Sequence, residues 1–94
     1  MEFEWDETKR RRNLEKHGVD FGDLGEFDWD HARVTFDDRN DYGEVRLIAM
    51  SRFRGRVHIV IHTERGTRTR IIGFRRANDR ERRTYEEEEK NHPR

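Results

Sequence analysis

Apolar and polar residues alternate at the start of the chain, with Phe3 and Trp5 set against Glu2 and Glu4. That predicts a short strand over Met1–Trp5. Asp6 is a good helix N-cap, Glu7 suits the positive end of a helix, and no Gly or Pro interrupts Asp6–His17. Gly18 stands where a left-handed C-cap residue belongs, so a helix ends there. Phe21, Leu24 and Phe27 recur at helical spacing, but Gly22 and Gly25 weaken the run. Phe21–Trp29 therefore reads as a short, poor helix. Ala32–Phe36 reads as a strand and Asp37–Gly43 as a polar loop. Glu44–Ser51 alternates Val45, Leu47 and Ala49 with Arg46, Ile48 and Met50. Two further strands follow at Arg56–Thr63 and Arg68–Arg75, joined by Gly-bearing turns at Arg52–Gly55 and Glu64–Thr67. Ala77–Lys90 closes the chain as a helix capped by Asn78 or Asp79.

The predicted order is β-α-α-β-β-β-β-α. Mostly consecutive strands imply an α+β domain, with an antiparallel sheet and helices packed on one face. Residues 1–94 form one domain, because a chain of 94 residues has no room for a second core. The run Glu86–Glu89 and the lone Pro93 mark about 88–94 as a frayed acidic tail.

Composition sharpens this picture. Only 30% of residues are apolar and 45% are charged, so the core is small. Two Trp, six Phe and two Tyr supply the bulk to close it, which argues against disorder. There is no cysteine to add a disulfide or a zinc–thiolate site. No apolar run suits a signal peptide or a membrane span, and the expected location is cytoplasmic.

Net charge is zero, yet it is unevenly distributed. Asp20–Glu44 holds nine acidic residues against Arg33 and Arg39, whereas Arg46–Arg83 holds twelve arginines against Glu64, Asp79 and Glu81. Seven of those arginines fall within Arg68–Arg83, where a strand hands over to a helix. A self-neutralising surface and a phosphate-binding face both fit this distribution. The bias to Arg over Lys suits bidentate phosphate contact. Strand alternation places Arg68, Arg70 and Arg76 on one side and Arg75 on the other.

Candidate chemistry follows from these cations. His58 and His62 share a strand face about 13 Å apart, too far to ligate one ion. No metal-binding motif appears, so no metal or other cofactor is expected. Ser51 is the sole serine and lacks a Gly-flanked elbow. Lys9, Asn13, Lys16 and His17 lie on one stripe of the first helix, either a solvated face or a grip on phosphates. Cleavage of RNA by its own 2′-hydroxyl needs a base, an acid and positive charge, and no metal. A His among arginines is chemically sufficient.

Trp5-Asp6, Lys9, Asn13, Lys16-His17-Gly18-Val19, Phe21, Thr63-Glu64-Arg65, Arg70-Ile71-Ile72, Arg75, Ala77 and Glu81-Arg82 occur in that order. Together they resemble the BrnT family, toxins of type II toxin–antitoxin systems. The resemblance implies a RelE-like ribonuclease fold and an endoribonuclease that blocks translation. It also implies a small antitoxin with a ribbon-helix-helix DNA-binding domain, through which the complex would reach operator DNA. Matching positions nominate Arg65, Arg75, Arg82 and His62 as catalytic. Lys9, Asn13, Lys16, His17, Arg70 and Arg76 are the expected RNA contacts. Family strands usually end Ile-Ser-Ala-Arg, where this chain has Ile72-Gly73-Phe74-Arg75. The alternatives are a catalytically degenerate homologue that serves only as an antitoxin-binding corepressor, and a plain nucleic-acid-binding protein.

Overall fold

A computed structural model describes residues 1–92. Five strands form one sheet in the order β1-β5-β4-β3-β2: β1 (Glu2–Trp5), β2 (Arg33–Phe36), β3 (Leu47–Phe53), β4 (Arg56–Arg65) and β5 (Arg68–Arg76). The helices are α1 (Glu7–His17) and α2 (Asp79–Asn91), with 3₁₀ segments at Phe21–Glu26 and Trp29–His31. The α+β class holds. The sheet is mixed rather than wholly antiparallel, because β1 runs parallel to β5. Helix α1 carries the chain back along the sheet before it can pair again, so β1 is left to align with a late strand.

The caps behave as their chemistry requires. Asp6 accepts hydrogen bonds from the backbone of Thr8 (2.8 Å) and Lys9 (3.4 Å). Gly18, at φ 73°, donates to the Leu14 carbonyl. Asn78 and Glu81 form a reciprocal capping box at the start of α2. The β3–β4 turn tightens to two residues, Arg54 (φ 50°) and Gly55 (φ 82°). Two positive φ angles match the right-handed twist of a hairpin, so β3 runs on to Phe53 rather than ending at Ser51. The same strand starts at Leu47 instead of Glu44, since Asp37 donates from its backbone to the Arg46 carbonyl where pairing begins.

The two sheet faces are covered differently. On one, Ala49, Phe53, Val60, Ile71 and Phe74 pack with Phe21, Leu24 and Phe27 into the main core. Gly22 and Gly25 disfavour a regular α-helix, and the Phe21–Glu26 segment winds as 3₁₀ while still burying its apolar residues. On the other face, Arg33, Met50, Ile59 and Arg75 form one row across four strands. Glu81 of α2 pairs with Arg75, Glu88 with Arg33, and Glu89 with Arg52. Thus α2 crosses the face opposite the aromatic core, while α1 packs along the edge of β5. Helix α2 runs to Asn91, one residue past the expected end at Lys90. Pro93 lies outside the described residues.

A bulge decides where the arginines point. His62 pairs with Ile71 but Ile61 pairs with Gly73, so Ile72 is an extra residue in β5. Facing partners in an antiparallel ladder share a side. Arg68, Arg70 and Arg75 therefore lie with Ile59, Ile61, Thr63 and Arg65, while Arg76 lies with His58 and Phe74. The alternation expected from sequence is corrected here: one inserted residue moves Arg75 to the side of Arg68 and Arg70, and leaves Arg76 on the other.

Candidate RNA-cleaving site

Strand β1 pairs with β5 only as far as Ile71. Beyond it the edge of β5 is open, and α1 lies along it. Asn13 accounts for the attachment. Its amide donates to the Phe74 carbonyl (2.7 Å) and the Val19 carbonyl (3.2 Å), and its oxygen accepts from the Phe74 N–H (3.1 Å). A side-chain amide thus substitutes for a missing strand. Arg10 adds contacts to Glu7 and Asp20. No residue of α1 is fully buried, so these polar ties hold it in place.

A shallow groove of about 310 Å³ opens between α1 and β5, lined by Lys9, Arg12, Asn13, Lys16, His17 and Ile72. The stripe expected on α1 does converge, and Arg12 joins it. Sequence spacing could have included Arg12, which lies i+3 from Lys9 and i−4 from Lys16. Among the described residues, no carboxylate lies within ion-pair distance of Lys9, Arg12 or Lys16. Most arginines on the sheet are neutralised by contrast: Arg68 by Glu2, Arg70 by Glu4 and Arg65 by Glu44.

His17 stands at the end of this groove. Partial burial, then Lys16 and Arg75, hold its imidazole below the usual range, so the ring is neutral at pH 7. Arg75 is half-buried and forms a fork with Glu81 at 2.8 and 2.9 Å, with a third bond to the Arg76 carbonyl. Those bonds occupy three of the five guanidinium donors, leaving Nε and one Nη2 hydrogen, two in all, for another acceptor. Glu81 in turn raises the Arg75 pKa and is itself held low, chiefly by Arg75.

The remaining nominated residues are dispersed. Arg65 shares the Arg75 side of the sheet but sits at the β4–β5 turn, exposed, 3.3 Å from Glu44. Arg82 lies on α2 and bonds Glu86 at 2.9 Å. Arg70 is tied to Glu4 at 2.8 Å. His62 lies on the core face, 4% exposed, with its ring edge-on to Trp29. Its Nδ1 is 3.0 Å from Glu64 Oε1 but not aligned for a hydrogen bond. Burial outweighs that carboxylate and lowers its pKa. The sheet therefore separates His62 from Arg75. Phe74 is 1% exposed in the core, so it neither stacks a base nor narrows the groove.

Other cavities offer less. One, of about 670 Å³ near the end of α2, is lined by His31, Arg33, Tyr85, Glu88, Glu89 and His92. Its arginine and acidic residues already pair. Among the described residues, no cluster of His, Cys, Asp and Glu is arranged to hold a metal, and no helix is long and apolar enough to cross a membrane. A family model described as the ribonuclease toxin BrnT of type II toxin–antitoxin systems matches residues 5–81. No curated protein matches the chain.

Proposed function

The chain belongs to the BrnT family of ribonuclease toxins of type II toxin–antitoxin systems, and on that premise we propose that it cuts RNA without a metal, in the groove between α1 and β5. The family implies ribonuclease activity, an RNA substrate and a cognate antitoxin. One observation carries the choice of groove: Lys9, Arg12 and Lys16 converge on the open edge of β5, uncompensated, with a neutral His17 beside Arg75.

In this reading the cations of α1 hold the RNA backbone. Neutral His17 accepts the proton of a 2′-hydroxyl, whose oxygen attacks the adjacent phosphorus. The bond from phosphorus to the 5′-oxygen breaks, and that oxygen leaves with a proton from solvent or from protonated His17. The products are a 2′,3′-cyclic phosphate and a 5′-hydroxyl. Charge on the phosphorane oxygens increases as the bond forms, and the two spare donors of Arg75 meet it. Glu81 fixes the plane of the guanidinium and Asn13 fixes the groove wall; neither touches substrate. Arg65 and Arg82, each held by a glutamate away from His17, act on flanking RNA or on the antitoxin.

The antitoxin supplies a ribbon-helix-helix DNA-binding part, so operator DNA is reached only through it, and the toxin acts in the cytoplasm. The test uses purified protein, a defined RNA and a chelator. Expected products carry cyclic phosphate, and one 2′-deoxy substitution at the scissile position stops cleavage. His17→Gln and Arg75→Ala each lower kcat about 10²–10⁴-fold in folded protein. Full activity of folded His17→Gln, or an absolute need for a divalent ion, would overturn the mechanism.

A further inference from the structure

The groove leaves a second cationic cluster unused, at the end of the sheet near Arg75. His58 lies directly opposite Arg76 in the β4–β5 ladder, and Arg56 is two positions earlier on the same face. The His58 Nδ1 is 2.8 Å from the Arg56 carbonyl oxygen. Only an Nδ1–H can satisfy that oxygen, so Nε2 carries the lone pair in the neutral ring. The ring is 5% exposed, edge-on to Phe53 and tilted against Phe74, which fixes its direction.

The two arginines differ from their neighbours. Arg52, Arg54, Arg65, Arg68, Arg70 and Arg75 each have a carboxylate within ion-pair distance. Among the described residues, Arg56 and Arg76 have none, although a fold with 21 acidic residues had many to offer. Burial first, then Arg76 and Arg56, hold His58 below the usual imidazole range. Two guanidiniums on one face without a counter-charge make a site for a bound anion.

We propose that Arg56 and Arg76, flanking His58, bind a backbone phosphate of the RNA next to the one being cut. This rests on the reading that the α1–β5 groove holds the scissile phosphate. Arg75 and Arg76 are consecutive and point to opposite faces, so an RNA strand leaving His17 and Arg75 meets Arg76 on rounding the end of β5. The phosphate oxygens take the donors of both arginines. His58, fixed against the Phe53 and Phe74 rings, lies beneath the two arginines and reports on their occupancy.

The test compares two 2′-O-methyl RNAs, which cannot be cut: a dinucleotide that fills the groove alone, and a decamer that extends past it. In Arg56→Gln/Arg76→Gln protein, the decamer-to-dinucleotide affinity ratio should fall about tenfold. The slope of log affinity against log salt for the decamer should shrink by about 0.7, the value for one single-strand phosphate. A ratio and slope equal to wild type would overturn the subsite, even if the groove cuts RNA. A second arm does not depend on cleavage. Inorganic phosphate, titrated into the wild type, should shift the His58 ring protons in NMR spectra and leave them unmoved in the double variant. Unmoved wild-type signals would equally sink the proposal, whereas a shift in protein that cuts no RNA would uphold the anion site and refute the groove.

Discussion

Asn13→Ala should destabilise the domain more than any other substitution on α1. The side chain makes three hydrogen bonds at 2.7, 3.1 and 3.2 Å, two of them to the N–H and C=O of Phe74. Alanine leaves both Phe74 groups facing a gap where β1 no longer pairs. A polar group stripped of its partner costs about 1–3 kcal/mol when buried. The site is half-buried, so water replaces part of the loss, and about 2 kcal/mol is the expected total. For a domain of this size that lowers Tm by roughly 8–16 °C. Asn13→Asp is the sharper control. Its carboxylate still accepts from the Phe74 N–H but cannot donate to the Phe74 carbonyl, so it should lose at least as much. Urea titration followed by circular dichroism at pH 7 reads both. A loss below about 0.5 kcal/mol for Asn13→Ala, with RNA binding abolished, would refute the structural role and make Asn13 a direct phosphate contact.

Acid should destabilise the fold through three histidines. His17, His58 and His62 are all held below the usual range, with burial the first cause in each. The unfolded chain then binds more protons below about pH 6.5, so stability is full above that pH and falls as pH drops toward the folded values. His62→Phe should flatten part of that slope, and an unaltered slope in a pH series of melts would contradict the assignment. Arg75 and Glu81 should show a coupling of about 1 kcal/mol in a double-mutant cycle, as expected for a forked but partly solvated pair; additivity would argue against it. Gly73→Ser should fold normally, because a Cβ there meets Ile61 at an ordinary 3.7 Å. A loss above about 1 kcal/mol would mean a tighter site than the geometry gives. Arg75→Ala should slow RNA cleavage more than Arg65→Ala or Arg82→Ala, and the reverse ranking would move the active site from the groove.

The elements were legible because their signals are local. Asp6 and Gly18 bound α1, Asn78 and Glu81 cap α2, and the Arg54-Gly55 pair closes a hairpin, each within a few residues. The parallel pairing of β1 with β5 has no local signal, since Glu2–Trp5 meets residues some sixty positions away and nothing in a four-residue alternation encodes direction. The bulge at Ile72 was equally hidden. Ile71-Ile72-Gly73 reads as regular strand, and the extra residue follows from fitting His62 to Ile71 while Ile61 meets Gly73. Its consequence is chemical. Without it, strict alternation would put Arg75 beside Phe74's neighbours in the core and Arg76 with the sheet's other arginines. With it, Arg75 reaches Glu81 and the end of the α1 groove, while Arg76 is left opposite His58. Space does not demand glycine at 73, since a Cβ there meets Ile61 at an ordinary 3.7 Å. A serine at 73 tests whether the bulge needs glycine: if Arg75 keeps its pairing with Glu81 in that variant, the register is set by the flanking core residues Ile71 and Phe74 instead.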